Sequence, residues 1–285
     1  MKVKITADST CDLSPELVAK YDIDITPLSV ILGERTGLDS REITPQDIYD
    51  YVAQTKSLPK TSAVNTVEYR RVFQHWLDQG YAVVHFCISS DFSSCYQNAC
   101  DAAKDMENVY VVDSRNLSTG QGLLVLHGAE LARQGVDAAR IQARCTALAP
   151  RVEASFVVDR IDYLYKGGRC NALSAFGANL LHIKPSIEVI DGRMEPGQKY
   201  RGHIGKVMLN YVEKRLAGRT DIDKHRIFIT HTQCKPEDVA AVRETINRLA
   251  PGFEEILDTT AGATVTSHCG PGTLGILFIR KEEKE

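Results

Sequence analysis

Residues 81–104, with the sequence YAVVHFCISSDFSSCYQNACDAAK, contain the pattern that decides the fold. The apolar run from Tyr81 to Ser89 predicts a buried strand, and the Ser-rich segment that follows predicts a loop at the end of that strand. Helical periodicity then extends from Ser94 to Lys104. The same order recurs at residues 3–6 and 15–21, 25–32 and 45–55, and 109–112 and 120–134. Repeated strand–helix units predict a parallel sheet covered by helices.

The second half of the chain predicts a mixed α/β layer. A strand pattern restarts at Ser155–Val158, and the strand Ile187–Ile190 is followed by Asp191-Gly192, which is typical of a tight β-turn. Further helices are predicted at 203–216 and 236–249, and further strands at 226–231, 254–257 and 274–279. Because 285 residues exceed the usual size of one core, we expect two domains, 1–150 and 151–285.

Composition indicates an ordinary globular protein, with 43% hydrophobic and 25% charged residues. The first ten residues, MKVKITADST, have no apolar signal core, and no apolar run approaches the roughly 20 residues of a membrane span. We therefore expect a cytoplasmic location without stable membrane insertion. The eight cysteines contain no C-x-x-C pair, so we expect them to be reduced and to bind no metal.

Positive charge is concentrated in one segment, although the net charge of the chain is −3. Between residues 160 and 206, eight basic residues accompany four acidic ones. Such an excess can face an acidic partner, and a solvated basic surface is the alternative. The candidates for contacting a partner are Lys166, Arg169, Lys199 and Arg201. No recognised nucleic-acid-binding motif is present, so nucleic acid is not an expected partner.

Two hydroxyl-rich segments precede predicted helices. Thr61-Ser62 lies in a predicted loop ahead of the helix 65–79, for which Asn65 is the expected N-cap. Ser89–Ser94 follows a strand and leads into a helix, at the sheet edge where ligands bind in open α/β folds. Hydroxyl groups beside the positive end of a helix suit a carboxylate or a phosphate. Ordinary helix capping by each segment is the alternative.

Two glycine-containing segments of the second half are further candidates. His268 lies in SHCGPGT, residues 267–273, which predicts a loop before the last strand and an imidazole able to bind an anion. Gly167-Gly168 stands between Lys166 and Arg169 and is either a helix C-cap or a contact for phosphate or a partner. The segment matches neither the Walker nor the dinucleotide-binding pattern, so no nucleotide site is predicted.

Seven motifs follow one another along nearly the whole chain. They are Asp8-Ser9-Thr10, Thr61-Ser62, Ser89-Ser90-x-x-Ser93-x-x-Tyr96-Gln97, Val112-Asp113-Ser114, Tyr163-Leu164-x-Lys166-Gly167-Gly168-Arg169, Ile183-Lys184-Pro185 and His268-x-Gly270-Pro271-Gly272-Thr273-Leu274-Gly275. In this order and spacing they resemble the DegV family of bacterial fatty-acid-binding proteins. The resemblance implies an α/β fold of two domains, with an N-terminal parallel sheet, a mixed C-terminal domain and one fatty acid bound between them.

The resemblance also implies a site. The hydroxyl loops would belong to domain 1–150, and the acyl-chain pocket and the histidine loop to domain 151–285. The bound long-chain fatty acid would be the ligand, with no cofactor and no metal. Its carboxylate would be held by Thr61, Ser62, Ser93 and His268.

A role follows from the same resemblance. Some members of the family are carrier subunits of a fatty acid kinase, in which a separate ATP-binding subunit makes acyl phosphate. The expected partners are therefore a long-chain fatty acid and such a kinase subunit, and transient membrane contact is compatible with this role. The carrier itself would not be an enzyme.

Two motifs depart from the family's usual pattern. Thr-Ser-Gln-Pro-Ser is replaced by Thr61-Ser62-Ala63-Val64-Asn65, and Ser-Gly-Thr-Tyr-Gln is replaced by Ser93-Ser94-Cys95-Tyr96-Gln97. The first hydroxyl groups are retained, so we expect carboxylate binding to persist. The preferred acyl chain and the partner cannot be carried over from the family.

Apolar residues of the second half are candidates for lining an acyl-chain tunnel, and core packing is the alternative for each. They are Phe156, Val158, Leu164, Leu173, Phe176, Leu180, Leu181, Ile183 and Ile187.

Two other functions remain open from the sequence. A serine hydrolase acting on a lipid ester would combine Ser93 or Ser9 with His268 and either Asp8 or Asp113. No G-x-S-x-G nucleophile elbow is present to support it. The second alternative is a regulatory protein in which a bound lipid is only structural.

Overall fold

Helices and strands alternate throughout the computed structural model, which describes residues 1–170, 172–173 and 183–282. The strands are β1 (Lys2–Asp8), β2 (Asp24–Thr26), β3 (Ser29–Leu32), β4 (Arg35–Leu38), β5 (Lys60–Ser62), β6 (Tyr81–Cys87), β7 (Val109–Asp113), β8 (Val152–Val157), β9 (Lys184–Ile190), β10 (Arg193–Tyr200), β11 (Ile222–Thr232), β12 (Glu255–Thr260) and β13 (Thr273–Arg280). The helices are α1 (Pro15–Tyr21), α2 (Pro45–Thr55), α3 (Thr66–Asp78), α4 (Cys95–Ala103), α5 (Ser118–Arg133), α6 (Ala138–Leu148), α7 (Ile161–Gly167), α8 (Ile204–Leu216), α9 (Pro236–Leu249) and α10 (Ala263–Cys269). Among the helices described, none is both long enough and apolar enough to cross a bilayer.

A four-stranded parallel sheet organises the first half, in the order β2-β1-β6-β7. Helices α5 and α6 cover one face and α3 and α4 the other, which explains why β1 and β6 are almost wholly buried. Because the strands are parallel, the loops after β1, β6 and β7 meet at the carboxyl edge of the sheet. The predicted parallel sheet is confirmed, except that the predicted strand 25–32 forms two strands, of which only β2 belongs to this sheet.

A small antiparallel sheet, β4-β3-β5, accompanies the first half. Its strand β5 contains Thr61 and Ser62, which the sequence pattern had assigned to a loop. That assignment was wrong because the backbone of this segment pairs with β3, with Thr61 opposite Val30. The pairing fixes the backbone of Thr61. After β5, the Asn65 side chain caps α3 by accepting a hydrogen bond from Glu68 N, as predicted.

A six-stranded mixed sheet organises the second half, in the order β10-β9-β8-β13-β11-β12. Strands β11 and β12 are parallel, and the other neighbours are antiparallel. The β9–β10 hairpin turns at Asp191-Gly192, where both residues have positive φ, as the sequence predicted. The predicted mixed layer is confirmed.

Helix α5 lies between the two large sheets. It contacts β1 and β6 on one side and β8, β11 and β13 on the other, and most of its side chains are buried. One core cluster accordingly includes Ile5 of the first sheet together with Phe228 and Leu277 of the second. Because this core is shared by both halves, the domain boundary at residue 150 stays a prediction.

Candidate functional site

One pocket collects several of the predicted polar residues at the junction of the two halves. Thr61, Ser93 and His268 line it, and so does Arg169, whose side chain is exposed. Its cavity volume is about 50 Å³, within about 500 Å³ of space that is not filled by protein atoms and includes open solvent. The other lining residues are mainly apolar: Leu28, Ala63, Ile88, Phe92, Leu117, Met194, Thr264, Val265 and Cys269.

A hydrogen bond between Thr61 and His268 joins the two halves at this pocket. The Thr61 Oγ1 atom lies 2.9 Å from His268 Nε2. His268 belongs to the last turn of α10, so the prediction that it lies in a loop was wrong. The glycine after Cys269, Gly270 at φ 70°, ends this short helix, so the glycine-rich sequence indicates a helix C-terminus rather than a longer loop.

The His268 ring is enclosed on the side of Nδ1. That nitrogen is buried and has no hydrogen-bond partner among the residues described. A Cβ atom added at Gly167 would lie 2.7 Å from Nδ1, so only glycine allows α7 to approach the ring this closely. Burial, and to a smaller extent the nearby Arg169, lowers the pKa of His268 to about 4. The imidazole is therefore neutral near pH 7.

The Ser93 hydroxyl makes only a weak interaction within the protein. It donates to Cys95 Sγ at 3.2 Å and accepts from Cys95 N at 3.3 Å. Sulfur is a weak hydrogen-bond acceptor, so little is lost if the hydroxyl turns towards a ligand.

Ser62 is not brought to the other predicted ligands. It follows Thr61 on β5, and successive side chains of a strand point to opposite faces. Its side chain is exposed and does not line the pocket, whereas Thr61 is partly buried and does. The structure therefore brings together Thr61, Ser93 and His268 and leaves Ser62 outside.

The predicted partner-facing basic residues are all exposed. Lys166 lies at the end of α7, Lys199 lies on β10, and Arg201 follows that strand. Arg169 differs from these three because it also lines the pocket, and its Nη1 donates to the carbonyl of Gly167 at 2.8 Å. It is therefore a candidate for the ligand site as well as for a partner surface.

Two carboxylates of the first half anchor the helix that carries His268. Asp12 accepts a hydrogen bond from Gly262 N at 2.8 Å, and Asp39 accepts one from Ala263 N at 2.8 Å. Burial raises the pKa of Asp12 to about 8, while hydrogen bonds from Ser118 and from Gly262 N oppose the shift. The sequence analysis missed both carboxylates because their partners lie more than 200 residues away.

Catalytic triad geometry is not assembled among the described residues. Ser93 bonds to Cys95 rather than to His268, and no carboxylate orients the His268 ring, whose Nδ1 is unpartnered. The alternative nucleophile, Ser9, donates to Asp39 at 2.7 Å and is thereby held away from any histidine. These contacts give no support to the hydrolase hypothesis.

One group of side chains has atoms spaced closely enough to hold a metal ion. Ligand atoms of Asp8, His85 and Cys87 lie within 4.8 Å of one another and are buried. The Asp8 carboxylate already accepts from Tyr69 OH, and its other oxygen accepts from Ile88 N. Burial raises the pKa of the Cys87 thiol well above its usual value, which disfavours the thiolate that would bind a metal. The group is an internal hydrogen-bonded network.

A second apolar pocket adjoins the first. Its cavity volume is about 30 Å³, within about 380 Å³ of unfilled space that includes open solvent, and it shares Leu117, Val265 and Cys269 with the first pocket. Of the predicted tunnel residues, Phe156 lines it. The predictions for Phe176, Leu180 and Leu181 lie outside the described residues. The predicted residues that are buried without lining either pocket are Val158, Leu164, Leu173, Ile183 and Ile187.

Sequence reasoning missed the apolar lining contributed by the first half. Ile88 and Phe92 lie within or beside the Ser89–Ser94 segment, and Leu117 precedes α5. Their position next to the hydroxyl residues was the available signal, because residues that flank a ligand loop at a sheet edge also line its pocket.

Comparison with known proteins identifies the family. A family model described as "Uncharacterised protein, DegV family" matches residues 2–281. A DegV domain-containing protein of Deinococcus radiodurans is 31% identical over 280 residues, which cover 97% of this chain and 98% of that protein.

Solved structures give the same result. A DegV family protein from Thermus thermophilus, described by its fatty acid binding, has 31% identity and a TM-score of 0.87, covering 98% of this chain and 100% of that one. A stearic acid-binding protein from Eubacterium ventriosum has 27% identity and a TM-score of 0.81, covering 98% of each chain. The chain described here belongs to the DegV family.

Proposed function

We propose that this protein binds one long-chain fatty acid, with the carboxylate at Thr61, Ser93 and His268 and the acyl chain in the adjoining apolar pockets. Two kinds of evidence support the proposal. Relatives with the same fold are described as fatty-acid-binding proteins. The pocket also combines hydroxyl groups and an imidazole with a mainly apolar lining, as an amphiphilic ligand requires.

The incompletely paired polar atoms of the pocket are the observation that carries the proposal. Buried polar atoms of native proteins nearly always have a hydrogen-bond partner. The Ser93 hydroxyl has only a weak sulfur acceptor, and His268 Nε2 meets only the Thr61 hydroxyl. A carboxylate supplies the acceptors that hydroxyl groups need, and its entry would also reorganise the bond between Thr61 and His268.

The acyl chain would supply most of the affinity. Each buried CH₂ group contributes about 0.8 kcal/mol, so a chain of a dozen or more methylenes outweighs one or two hydrogen bonds to the head group. Leu117, Val265 and Cys269 line both pockets, so the apolar lining continues from one pocket to the other. The head-group contacts would then orient the acid rather than supply most of the affinity.

We further propose that the protein is a carrier and presents the bound acid to a separate ATP-dependent kinase subunit. Arg169 supports this role, because it is exposed and lines the pocket, so that one end of the ligand site is close to the surface. Lys166 and Arg201 are exposed basic residues of the same half and could contact an acidic partner. A carrier needs no catalytic group of its own.

The proposal is tested by native mass spectrometry of protein purified without added lipid. The expected result is a mass increment of one fatty acid, and the increment reports the chain length. The same protein, stripped of lipid, should bind hexadecanoic acid with a stoichiometry of one in calorimetry. Protein that carries no lipid and gives no heat with fatty acids of any length would refute the proposal.

The kinase role has its own test. A double variant, Lys166→Glu with Arg201→Glu, should bind hexadecanoic acid as the wild type does, because neither residue lines the pocket. It should support slower ATP-dependent acyl phosphate formation by a cognate kinase subunit. Equal rates at low and high ionic strength would argue against docking through these two residues.

A further inference from the structure

Thr264 is a pocket residue that the sequence motifs do not single out. It lies on α10, one helical turn before His268 and on the same face, and it lines the same pocket. The residue is 4% exposed. Its hydroxyl oxygen is buried and has no hydrogen-bond partner among the residues described.

The other hydroxyl residues in the later part of α10 provide an internal comparison. Thr266 Oγ1 donates to the carbonyl of Ala261 at 3.3 Å, and Ser267 Oγ donates to the carbonyl of Ala263 at 2.8 Å. Such bonds to a preceding carbonyl are the usual way in which a helix satisfies a buried hydroxyl. Thr264 makes no such bond, so its hydroxyl remains available to a group inside the pocket.

A carboxylate in this pocket has room for a fourth donor. An ionised carboxylate has two oxygens and about four lone-pair sites. Thr61, Ser93 and, once its bond to Thr61 is reorganised, His268 can supply three donors, while Arg169 lines the pocket with an exposed side chain and Ser62 lies outside it. Thr264 is the buried residue of the pocket whose unpartnered hydroxyl can fill the remaining acceptor site.

We propose that the Thr264 hydroxyl donates the fourth hydrogen bond to the carboxylate of the bound fatty acid. The inference rests on the proposed fatty acid binding and adds a ligand residue to that site. It makes α10 a two-point clamp, with Thr264 and His268 contacting the head group from successive turns. The neighbouring Val265 and Cys269, also one turn apart, contact the apolar part of the ligand.

The decisive variant is Thr264→Val, which keeps the side-chain shape and removes the hydroxyl. Lipid-free protein should have a melting temperature at or above that of the wild type, because an unpartnered buried hydroxyl is lost. Affinity for hexadecanoic acid should fall roughly tenfold, since a hydrogen bond to a charged group is lost. The opposite signs of the two effects distinguish a ligand contact from a packing role.

Two control variants complete the experiment. Thr264→Ser retains a hydroxyl and should restore most of the affinity. Thr266→Val removes a hydroxyl that is bonded to Ala261 and lies outside the pocket, so it should leave the affinity unchanged. With hexadecan-1-ol, which lacks the carboxylate, wild type and Thr264→Val should differ by less than twofold.

The same measurements distinguish an error in the role of Thr264 from an error in the proposed function. If the wild type binds hexadecanoic acid and Thr264→Val binds it equally tightly, Thr264 does not contact the carboxylate and the inference is overturned alone. If Thr264→Val loses as much affinity for the alcohol as for the acid, it contacts another part of the ligand and the inference is again wrong. If the wild type binds no fatty acid, the proposed function itself is wrong.

Discussion

Two polar clusters of this protein each contain a threonine hydrogen-bonded to a histidine and differ in how completely their polar atoms are paired. The first, which we name the Asp8 network, consists of Thr6 and Asp8 on β1, His85 on β6 and Tyr69 on α3. Tyr69 OH donates to Asp8 at 2.6 Å, His85 Nε2 lies 3.2 Å from the same carboxylate, and Thr6 Oγ1 lies 2.8 Å from His85 Nδ1. Both ring nitrogens of His85 thus have partners.

The pocket cluster contains the second histidine, and its pairing is incomplete. His268 Nε2 meets Thr61, while Nδ1 and the hydroxyl of Thr264 have no partner among the described residues. Unfilled space adjoins these atoms. The comparison shows that a histidine among hydroxyl groups is not by itself a sign of function. Incomplete pairing beside a cavity is the feature that indicates a ligand.

The largest expected effect concerns the Asp8 network. Replacing Asp8 with Ala leaves Tyr69, His85 and the Ile88 N–H unpaired in a site without water access. We expect the free energy of unfolding to fall by about 3–5 kcal/mol, measured by urea denaturation. A loss below about 1 kcal/mol would contradict the structural role assigned to this network.

The corresponding change in the pocket should act on binding as well as on stability. His268→Ala removes a buried ring and its hydrogen bond to Thr61, so we expect the free energy of unfolding of the lipid-free protein to fall by about 1–3 kcal/mol. Its affinity for hexadecanoic acid should fall by about 1.5–3 kcal/mol. Ligand-induced stabilisation in a thermal-shift titration should fall with it, because that stabilisation depends on the dissociation constant. Equal ligand-induced shifts for the two proteins would remove His268 from the site.

Adjacent glycines allow a sharper separation of stability from binding. A Cβ at Gly167 would meet His268 Nδ1 at 2.7 Å, whereas one at Gly168 would meet nothing within 4 Å but would occupy a backbone with φ at 69°. Gly167→Ala should therefore displace the ring and weaken fatty acid binding several-fold. Gly168→Ala should instead lower stability by about 1 kcal/mol and leave binding unchanged. The same effect on binding from both variants would contradict the assigned contact.

The pH dependence should be the smallest effect at neutral pH. Burial lowers the pKa of His268 from 6.5 to about 4, so between these values the unfolded chain takes up a proton that the folded, lipid-free protein does not. His268 therefore contributes a loss of stability as the pH falls from 6.5 towards 4, and none between pH 7 and 8. Urea denaturation at pH 7 and pH 5 should show a smaller pH-dependent loss for His268→Gln than for the wild type.

The lowered pKa of His268 also changes the expected pH dependence of fatty acid binding. An imidazole with an ordinary pKa would give an affinity that rises as the pH falls through the usual histidine range. With a pKa of about 4 in the lipid-free protein, the ring is neutral across that range before binding. The affinity should be constant between pH 7 and 8. A rise below that interval is expected only where a bound carboxylate draws the pKa of His268 upward.

Local sequence patterns predicted most of the fold. Proline at the first helical position located Pro15–Tyr21 and Pro236–Leu249 to the residue, and apolar runs located the buried strands. The short strand β5 was missed because three polar residues carry no strand periodicity, and only their pairing with β3 defines them. Residue patterns cannot encode such a long-range contact.

The residue types of the candidate site could be predicted from the sequence, but the arrangement of their side chains could not. Thr61, Ser93 and His268 were correctly expected to lie together, since they line one pocket. Thr61 lines the pocket and Ser62 does not because their side chains lie on opposite faces of β5. The Thr266 hydroxyl donates to a backbone carbonyl, whereas the Thr264 hydroxyl does not. Both require the tertiary structure.

The central claim is that the pocket cluster binds a carboxylate and that the Asp8 network stabilises the fold. A matched pair of threonine substitutions tests this claim. Thr61→Val and Thr6→Val each remove one hydroxyl bonded to a histidine. In lipid-free protein titrated with hexadecanoic acid, we predict that Thr61→Val weakens binding roughly tenfold with little change in melting temperature. We predict that Thr6→Val leaves the affinity unchanged and lowers stability by about 1–3 kcal/mol. Unchanged affinity in Thr61→Val, or equal loss of affinity in both variants, would contradict the account.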